Sequence, residues 1–321
     1  MPELPDVVVY IDALKPRLTG QPLERLHLRS PFVLRSVDPP IAALHGRRVR
    51  GVRRVGKRIV LAFDDDLFLV LHLMIAGRLR WRERAAEAPG ASPAGETREG
   101  HRRHGPALTA DKKPPASKVT LATFEFPTGI LFFTEASSRK RASMQLVLGD
   151  AALSALDPGG VEPLDATLEE FRGALTRESH TVKRALTDPH LLSGIGNAYS
   201  DEILHAARLS PLKLTRSLSA EELLRLYDAT RATLLVWIDR LRRDLGGAFP
   251  EKVTAFRDEM AVHGRFKQPC PVCASPVQRI VYASNECNYC ARCQTGGRLL
   301  ADRSLSRLLR DDWPKSIDDL S

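Results

Sequence analysis

The chain has no apolar run long enough to cross a bilayer; its longest apolar stretches, such as residues 67–75, reach only the length of a strand. Its N-terminus lacks a basic segment followed by an apolar one, so no export signal is expected and a cytoplasmic protein is anticipated. Cysteine is scarce, with five in 321 residues, and in a cytosolic chain these point to metal binding in place of disulfides. No internal repeat is apparent, which excludes a solenoid or propeller. Acidic residues fall short of basic ones, 39 against 48, leaving a net charge of +9 and a pI near 9.5. That imbalance suggests a polyanionic partner, and although charge alone does not separate nucleic acid from an anionic membrane, the bias toward arginine favours phosphate. A hydrophobic content of 43% over this length suffices for two domains with cores of their own.

The few cysteines are not scattered. Cys270, Cys273, Cys290 and Cys293 form a C-x2-C-x16-C-x2-C array, the spacing at which two thiolate knuckles close a β-hairpin around one tetrahedral zinc ion. Pro271 lies inside the first knuckle, Ala291-Arg292 inside the second, and residues 279–282 between them read as strand. One structural zinc per chain is expected. Cys287 falls outside the two matched pairs and is read as a bystander.

Along the chain, the opening Pro2-Glu3-Leu4-Pro5-Asp6 is followed by Val7, Val8, Tyr10, Ile11, Leu14 and Leu18 at helical spacing, ending at Gly20. Short alternating runs follow, with residues 58–63, an Asp64-Asp65-Asp66 turn and residues 67–73 reading as a hairpin. Residues 83–118, rich in Ala, Pro, Gly, Glu and Arg without periodicity, read as a flexible insertion. Its His101-Arg102-Arg103-His104 cluster reads as a charged loop, with a contact to DNA or metal as the alternative. Strands resume at 119–126, 130–134 and 144–148, the last preceded by Arg139-Lys140-Arg141. From Leu153 the pattern turns helical, and Thr167 with Glu170 and Ser219 with Glu222 are capping-box signatures, the second helix running to Gly246-Gly247. The tail carries one possible short helix at 305–309.

Two features carry chemistry. Removal of Met1, which a small second residue permits, exposes the secondary amine of Pro2. An α-amino group has a reference pKa of roughly 7.7–8.0, and such an amine condenses with an aldehyde or aldose carbon to an iminium electron sink. Glu3, beside it, is placed to move a proton. The other feature is the Gly194-Ile195-Gly196-Asn197 turn, between a helical stretch around Lys183 and a helix at about 198–207. Its glycines allow close approach to a phosphate, the following helix offers free amides, and Asn197 adds a donor. A plain helix connection is the competing reading.

Pro2-Glu3-Leu4-Pro5-Asp6, Gly56-Lys57, His72-Leu73, Gly160-Val161-Glu162-Pro163-Leu164, Gly194-Ile195-Gly196-Asn197, Val262-His263-Gly264-Arg265 and the cysteine array occur in order over most of the chain. Together they resemble the formamidopyrimidine-DNA glycosylase and endonuclease VIII family of base-excision repair enzymes. The resemblance implies an α+β architecture. An N-terminal β-sandwich with an N-terminal helix is expected over 1–150, a helical domain with a helix-two-turn-helix motif over 151–260, a zinc-ribbon hairpin over 261–295 and a tail over 296–321. It further implies a monomer, at the nucleoid if bacterial, acting on DNA that contains damaged bases or abasic sites, with no membrane partner. By the resemblance Pro2 attacks C1′ of a flipped-out damaged nucleoside, Glu3 acts as acid for sugar-ring opening, and β- or β,δ-elimination cuts the strand. Lys57 joins them in the catalytic set and, with Asn197, holds phosphates flanking the lesion. Lys183, Arg141 and Asn285 are further expected DNA contacts.

Three positions depart from the family pattern. Asn285 stands where an arginine clamps phosphate, leaving Arg279, Arg292 or Arg298 as substitutes. Ala142 falls where an aromatic wedge is expected, and residues 246–265 are short for the lid of the branch that excises oxidised guanine. These departures keep open a catalytically idle relative that binds damaged or branched DNA, although retention of both Pro2 and Glu3 favours the enzyme. A zinc-ribbon RNA-binding or transcription factor accounts for the charge and cysteines but leaves the N-terminus and the Gly-Asn turn unexplained.

Overall fold

A computed structural model describes residues 1–84, 115–254, 256–282, 285–301, 308 and 314–320. The His101 to His104 cluster and nearly all of the insertion lie outside the described residues, as does the proposed tail helix apart from Leu308.

The first helix, α1 (Leu4–Leu18), begins where the pattern places it. Glu3 and Asp6 form a reciprocal capping box, Pro5 lies in the first turn, and Lys15 and Arg17 face the negative end of the helix dipole. Eight strands follow: β1 (Arg25–Leu28), β2 (Val49–Val55), β3 (Arg58–Phe63), β4 (Leu67–His72), β5 (Gly77–Glu83), β6 (Thr120–Phe126), β7 (Gly129–Glu135) and β8 (Ser143–Leu148). They form two four-stranded antiparallel sheets, ordered β1-β6-β7-β5 and β2-β3-β4-β8. The expected hairpin is the β3-β4 pair, with Leu61 opposite Leu69. Leu61, Leu69, Phe124 and Phe133 from the two sheets share one core with Tyr10, Leu14 and Leu18 of α1. This is the anticipated sandwich, with α1 packed on it.

The helical part comprises α2 (Gly149–Ser154), α3 (Leu168–Thr176), α4 (Val182–Thr187), α5 (Asn197–Ala206) and α6 (Ala220–Leu245). Both capping boxes form, at Thr167 and Ser219. Helix α6 buries Leu223, Leu226, Thr230, Leu234, Trp237, Ile238 and Leu241 along one stripe and stops at Gly246, whose φ of 52° gives the left-handed cap that glycine adopts most readily. The C-terminal hairpin pairs β9 (Gln278–Tyr282) with β10 (Asn285–Tyr289), followed by α7 (Ala291–Thr295). Buried Gln294 ties this unit to the helices, donating to the Leu209 carbonyl and accepting from Cys290 N.

The two cores exchange residues. Leu4, from the start of α1, is buried among the helices with Leu192, Ile195 and Tyr199. Phe249 and Val253, beyond α6, are buried in the sandwich core, and Arg78 Nε donates to the Val253 carbonyl at 2.7 Å. Among the described residues no helix is long and apolar enough to cross a membrane.

Candidate active site

A cleft of 940 Å³ lies where α1, the α4-α5 turn, the β2-β3 turn and the β9-β10 hairpin meet, and it is lined by Met1, Glu3, Lys57, Met74, Lys183, Asn197, Phe256 and Arg279 among others. Glu3 is its anchor. Although only 3% exposed, its carboxylate is not stranded: Oε2 accepts from Gly196 N at 2.6 Å and Tyr199 N at 3.3 Å, and Oε1 accepts from Ala198 N at 2.9 Å. One acid thus caps α5 from across the chain while starting α1. A Cβ on Gly196 would lie 2.5 Å from Glu3 Cδ, and one on Gly194, at φ 81°, would lie 2.8 Å from Leu4 Cβ. Both glycines are required by close approach of the N-terminus, a reason distinct from the phosphate approach expected from the turn alone.

Met1, which carries the amino terminus, lines the same cleft. Burial pushes its pKa below the ordinary value, with Glu3 pulling the other way. Pro2 is buried and is not among the residues that line the cleft. Lys57 follows Gly56 in the β2-β3 turn, where Gly56 has a φ of 57°. Burial lowers the Lys57 pKa, and Glu3 opposes the shift. His72, opposite Arg58 in the sheet, is pushed down to about 4 by burial, then by Arg58 and Lys57.

Asn197 opens α5, and its Nδ2 donates to the Glu286 carbonyl of β10 at 2.7 Å, so it links the turn to the hairpin. Lys183 reaches the cleft, but its Nζ is already engaged by the Asn197 carbonyl at 2.8 Å and by Asp201 Oδ1 at 2.5 Å. Asp201, wholly buried on α5, also accepts from Asn288 N, and its Oδ2 lies 2.7 Å from His263 Nδ1. Neighbouring Glu202 accepts from the backbone of Ala261, Val262 and His263. These two acids fasten α5 to the chain entering the cysteine hairpin. Nothing in the sequence pattern marks them, since a helical Asp-Glu pair ordinarily faces water.

Of the three arginines offered as substitutes for the missing clamp, Arg279 lines the cleft. It lies over the Phe266 ring at 4.3 Å and 3.4 Å from Glu286. Arg292 pairs with Asp318 instead, and Arg298, whose backbone forms a β-bridge with Ser316, is not among the cleft-lining residues. Asn285 begins β10 opposite Tyr282. Arg141 is exposed on the loop before β8 and is not among the residues that line the cleft, and its backbone N–H donates to buried Glu135.

The expected wedge position needs correction. Ala142 is 2% exposed and packed in the sandwich core, and a Cβ built on Gly77 would approach it to 3.0 Å. Glu135 accepts from the amides of Arg141 and Ala142 and folds the loop inward at that point. Ile75, 57% exposed, is an apolar side chain beside the cleft, presented by a turn in which Met74 holds a φ of 51°.

The four cysteines of the array converge, their sulfurs all within 4.8 Å of one another. Separations of 3.9 Å for Cys270 to Cys293 and 3.3 Å for Cys273 to Cys290 fit a tetrahedron with Zn–S of about 2.3 Å, whose edges are roughly 3.8 Å. His205 Nε2 lies 3.3 Å from Cys270 Sγ, a contact from α5 that the spacing did not reveal. Cys287 is buried on the hairpin against Ile280 and Tyr289, outside that group.

Comparison with known proteins agrees with this architecture. Residues 1–139 match the formamidopyrimidine-DNA glycosylase N-terminal domain, and residues 160–243 match the formamidopyrimidine-DNA glycosylase H2TH domain. The chain is 32% identical over 307 residues to the formamidopyrimidine-DNA glycosylase of Heliobacterium modesticaldum, covering 92% of this chain and 100% of the relative. It is 33% identical over 310 residues to that of Thermus thermophilus, with the same coverage. Among solved structures, the Lactococcus lactis enzyme in complex with Fapy-dG-containing DNA superposes with a TM-score of 0.71 at 26% identity, over 91% of this chain and 100% of that one.

Proposed function

The chain belongs to the formamidopyrimidine-DNA glycosylase family, and from that membership we propose that it excises damaged bases from DNA and cuts the abasic site it creates, with Pro2 as nucleophile once Met1 is removed. The observation that supports this reading is the seat of the N-terminus: Met1 and Glu3 line one cleft, and three backbone amides hold the Glu3 carboxylate in place.

In the proposed sequence the Pro2 nitrogen bonds to C1′ as the C1′–base bond breaks and the base leaves with a proton. Glu3 protonates O4′ as the ring opens, the nitrogen sheds its proton, and its lone pair forms the iminium. Loss of a C2′ proton then expels the 3′ phosphate, and water releases Pro2. Lys57, Asn197 and Arg279 are the proposed phosphate ligands, with Lys183 holding the Asn197 carbonyl in place. The four cysteines are the proposed ligands of one structural zinc, which would fix the β9-β10 hairpin that presents Arg279.

Borohydride reduction in the presence of abasic-site DNA tests the nucleophile. The mature protein is expected to form a covalent adduct that Met1 retention abolishes. An adduct undiminished by a blocked N-terminus moves the chemistry to Lys57, and no adduct with retained binding to damaged DNA supports an idle recognition protein.

A further inference from the structure

Phe256 is 66% exposed at the edge of the cleft, whereas Phe249 and Val253 of the same segment are buried in the sandwich core. An aromatic ring left in water beside two apolar neighbours that found cover invites a functional reading. Its placement is built. The ring stacks on the imidazole of His263, with centroids 5.6 Å apart and planes 17° from parallel. His263 is itself held at Nδ1 by the fully buried Asp201 carboxylate, 2.7 Å away. Gly264, at φ 73°, makes room, since a Cβ there would lie 2.8 Å from Phe256 Cδ1, and Phe256 N donates to Thr254 Oγ1 at 3.1 Å. One face of the ring is backed, and the ring borders the same cleft as Glu3 and Lys57.

We propose that Phe256, backed by His263, is the surface on which the extruded base stacks, so that this cleft favours planar bases over puckered ones. The inference rests on the base-excision reading above and adds a specificity determinant to it. A flat base in contact with the ring gains dispersion and electrostatic attraction that a ring saturated at C5–C6 cannot match, because puckering lifts its atoms out of the plane. By sequence, residues 246–265 read only as a short lid. Residue type and spacing alone give no sign that His263 and Gly264 shape a platform for Phe256.

Single-turnover excision of a formamidopyrimidine and of 5-hydroxyuracil, both planar, is compared with that of dihydrouracil, which is puckered, and with strand cutting at a preformed abasic site. Relative to that cutting, Phe256→Ala and Phe256→Leu are expected to slow excision of the planar bases about ten-fold and to change dihydrouracil little, while Phe256→Tyr retains excision. Equal losses on every substrate, abasic DNA included, would show that Phe256 only supports the loop. Phe256→Leu excising planar bases as fast as the wild type would overturn stacking while leaving the base-excision reading intact. A wild-type protein that neither excises nor cuts would remove both.

Discussion

Glu3 does two things with one carboxylate, and Gly196 shows why the residues around it are constrained. Any side chain at 196 meets Glu3 within 2.5 Å, so Gly196→Ala is expected to displace the acid by a large part of an ångström and slow excision about 100-fold, measured under single-turnover conditions. His72 offers a pH test. Its folded pKa of about 4 lies below the unfolded value of about 6.5, so the unfolded chain binds more protons between these limits. Its contribution to stability is therefore fully present above pH 6.5 and declines as pH falls toward 4. Urea midpoints should drop over that window, and His72→Asn should flatten the drop; parallel curves would remove His72 from the account. Ala142 and Ile75 separate the same way. Ala142→Phe is expected to overpack the core and cost about 1–3 kcal/mol, whereas Ile75→Ala should slow excision from duplex more than from single strands, because only the duplex leaves a gap to fill.

Helix α5 and the β9-β10 hairpin behave as one mechanical part. Asn197 holds the Glu286 carbonyl, Asp201 holds Asn288 and His263, and His205 touches Cys270. Loss of the proposed zinc should therefore be felt in the cleft and not only in the hairpin. Cys290→Ser is expected to lose metal, unprotect the amides of β9 and β10 in hydrogen exchange and weaken DNA binding, whereas Cys287→Ser should keep its metal. Zinc retained in Cys290→Ser and lost in Cys287→Ser would reverse the assignment. Both capping boxes and the glycine stop of α6 were legible as patterns because each is a local rule, satisfied within four residues of chain. The partners of Asp201 were not, since they lie 18, 62 and 87 residues away.

At the scale of the molecule, the two cores are tied by exchange: Leu4 lies in the helical one, Phe249 and Val253 in the sandwich. Leu4→Ala is expected to cost about 2–5 kcal/mol, and because α1 begins there, chemical denaturation should report the loss together with the loss of adduct formation. The cleft between them carries Lys57 and Arg279, and Lys57→Ala should lower the slope of log affinity against log salt by about one. An unchanged slope would remove Lys57 from the phosphate inventory.

What the sequence determined by itself was whatever short-range chemistry dictates: the strand and helix periods, the caps, the cysteine array and the order of motifs that marks the family. Those follow from residue type and spacing, with no need to know what lies across the fold. The tertiary structure alone decided that Ala142 is core and Ile75 is rim, that Arg279 and not Arg292 or Arg298 faces the cleft, that Lys183 is held by a buried acid, and that Phe256 lies against His263. Each of these is a question of which side chain meets which neighbour after residues tens to hundreds apart converge, and burial or exposure at that meeting is set by packing, which no local pattern records.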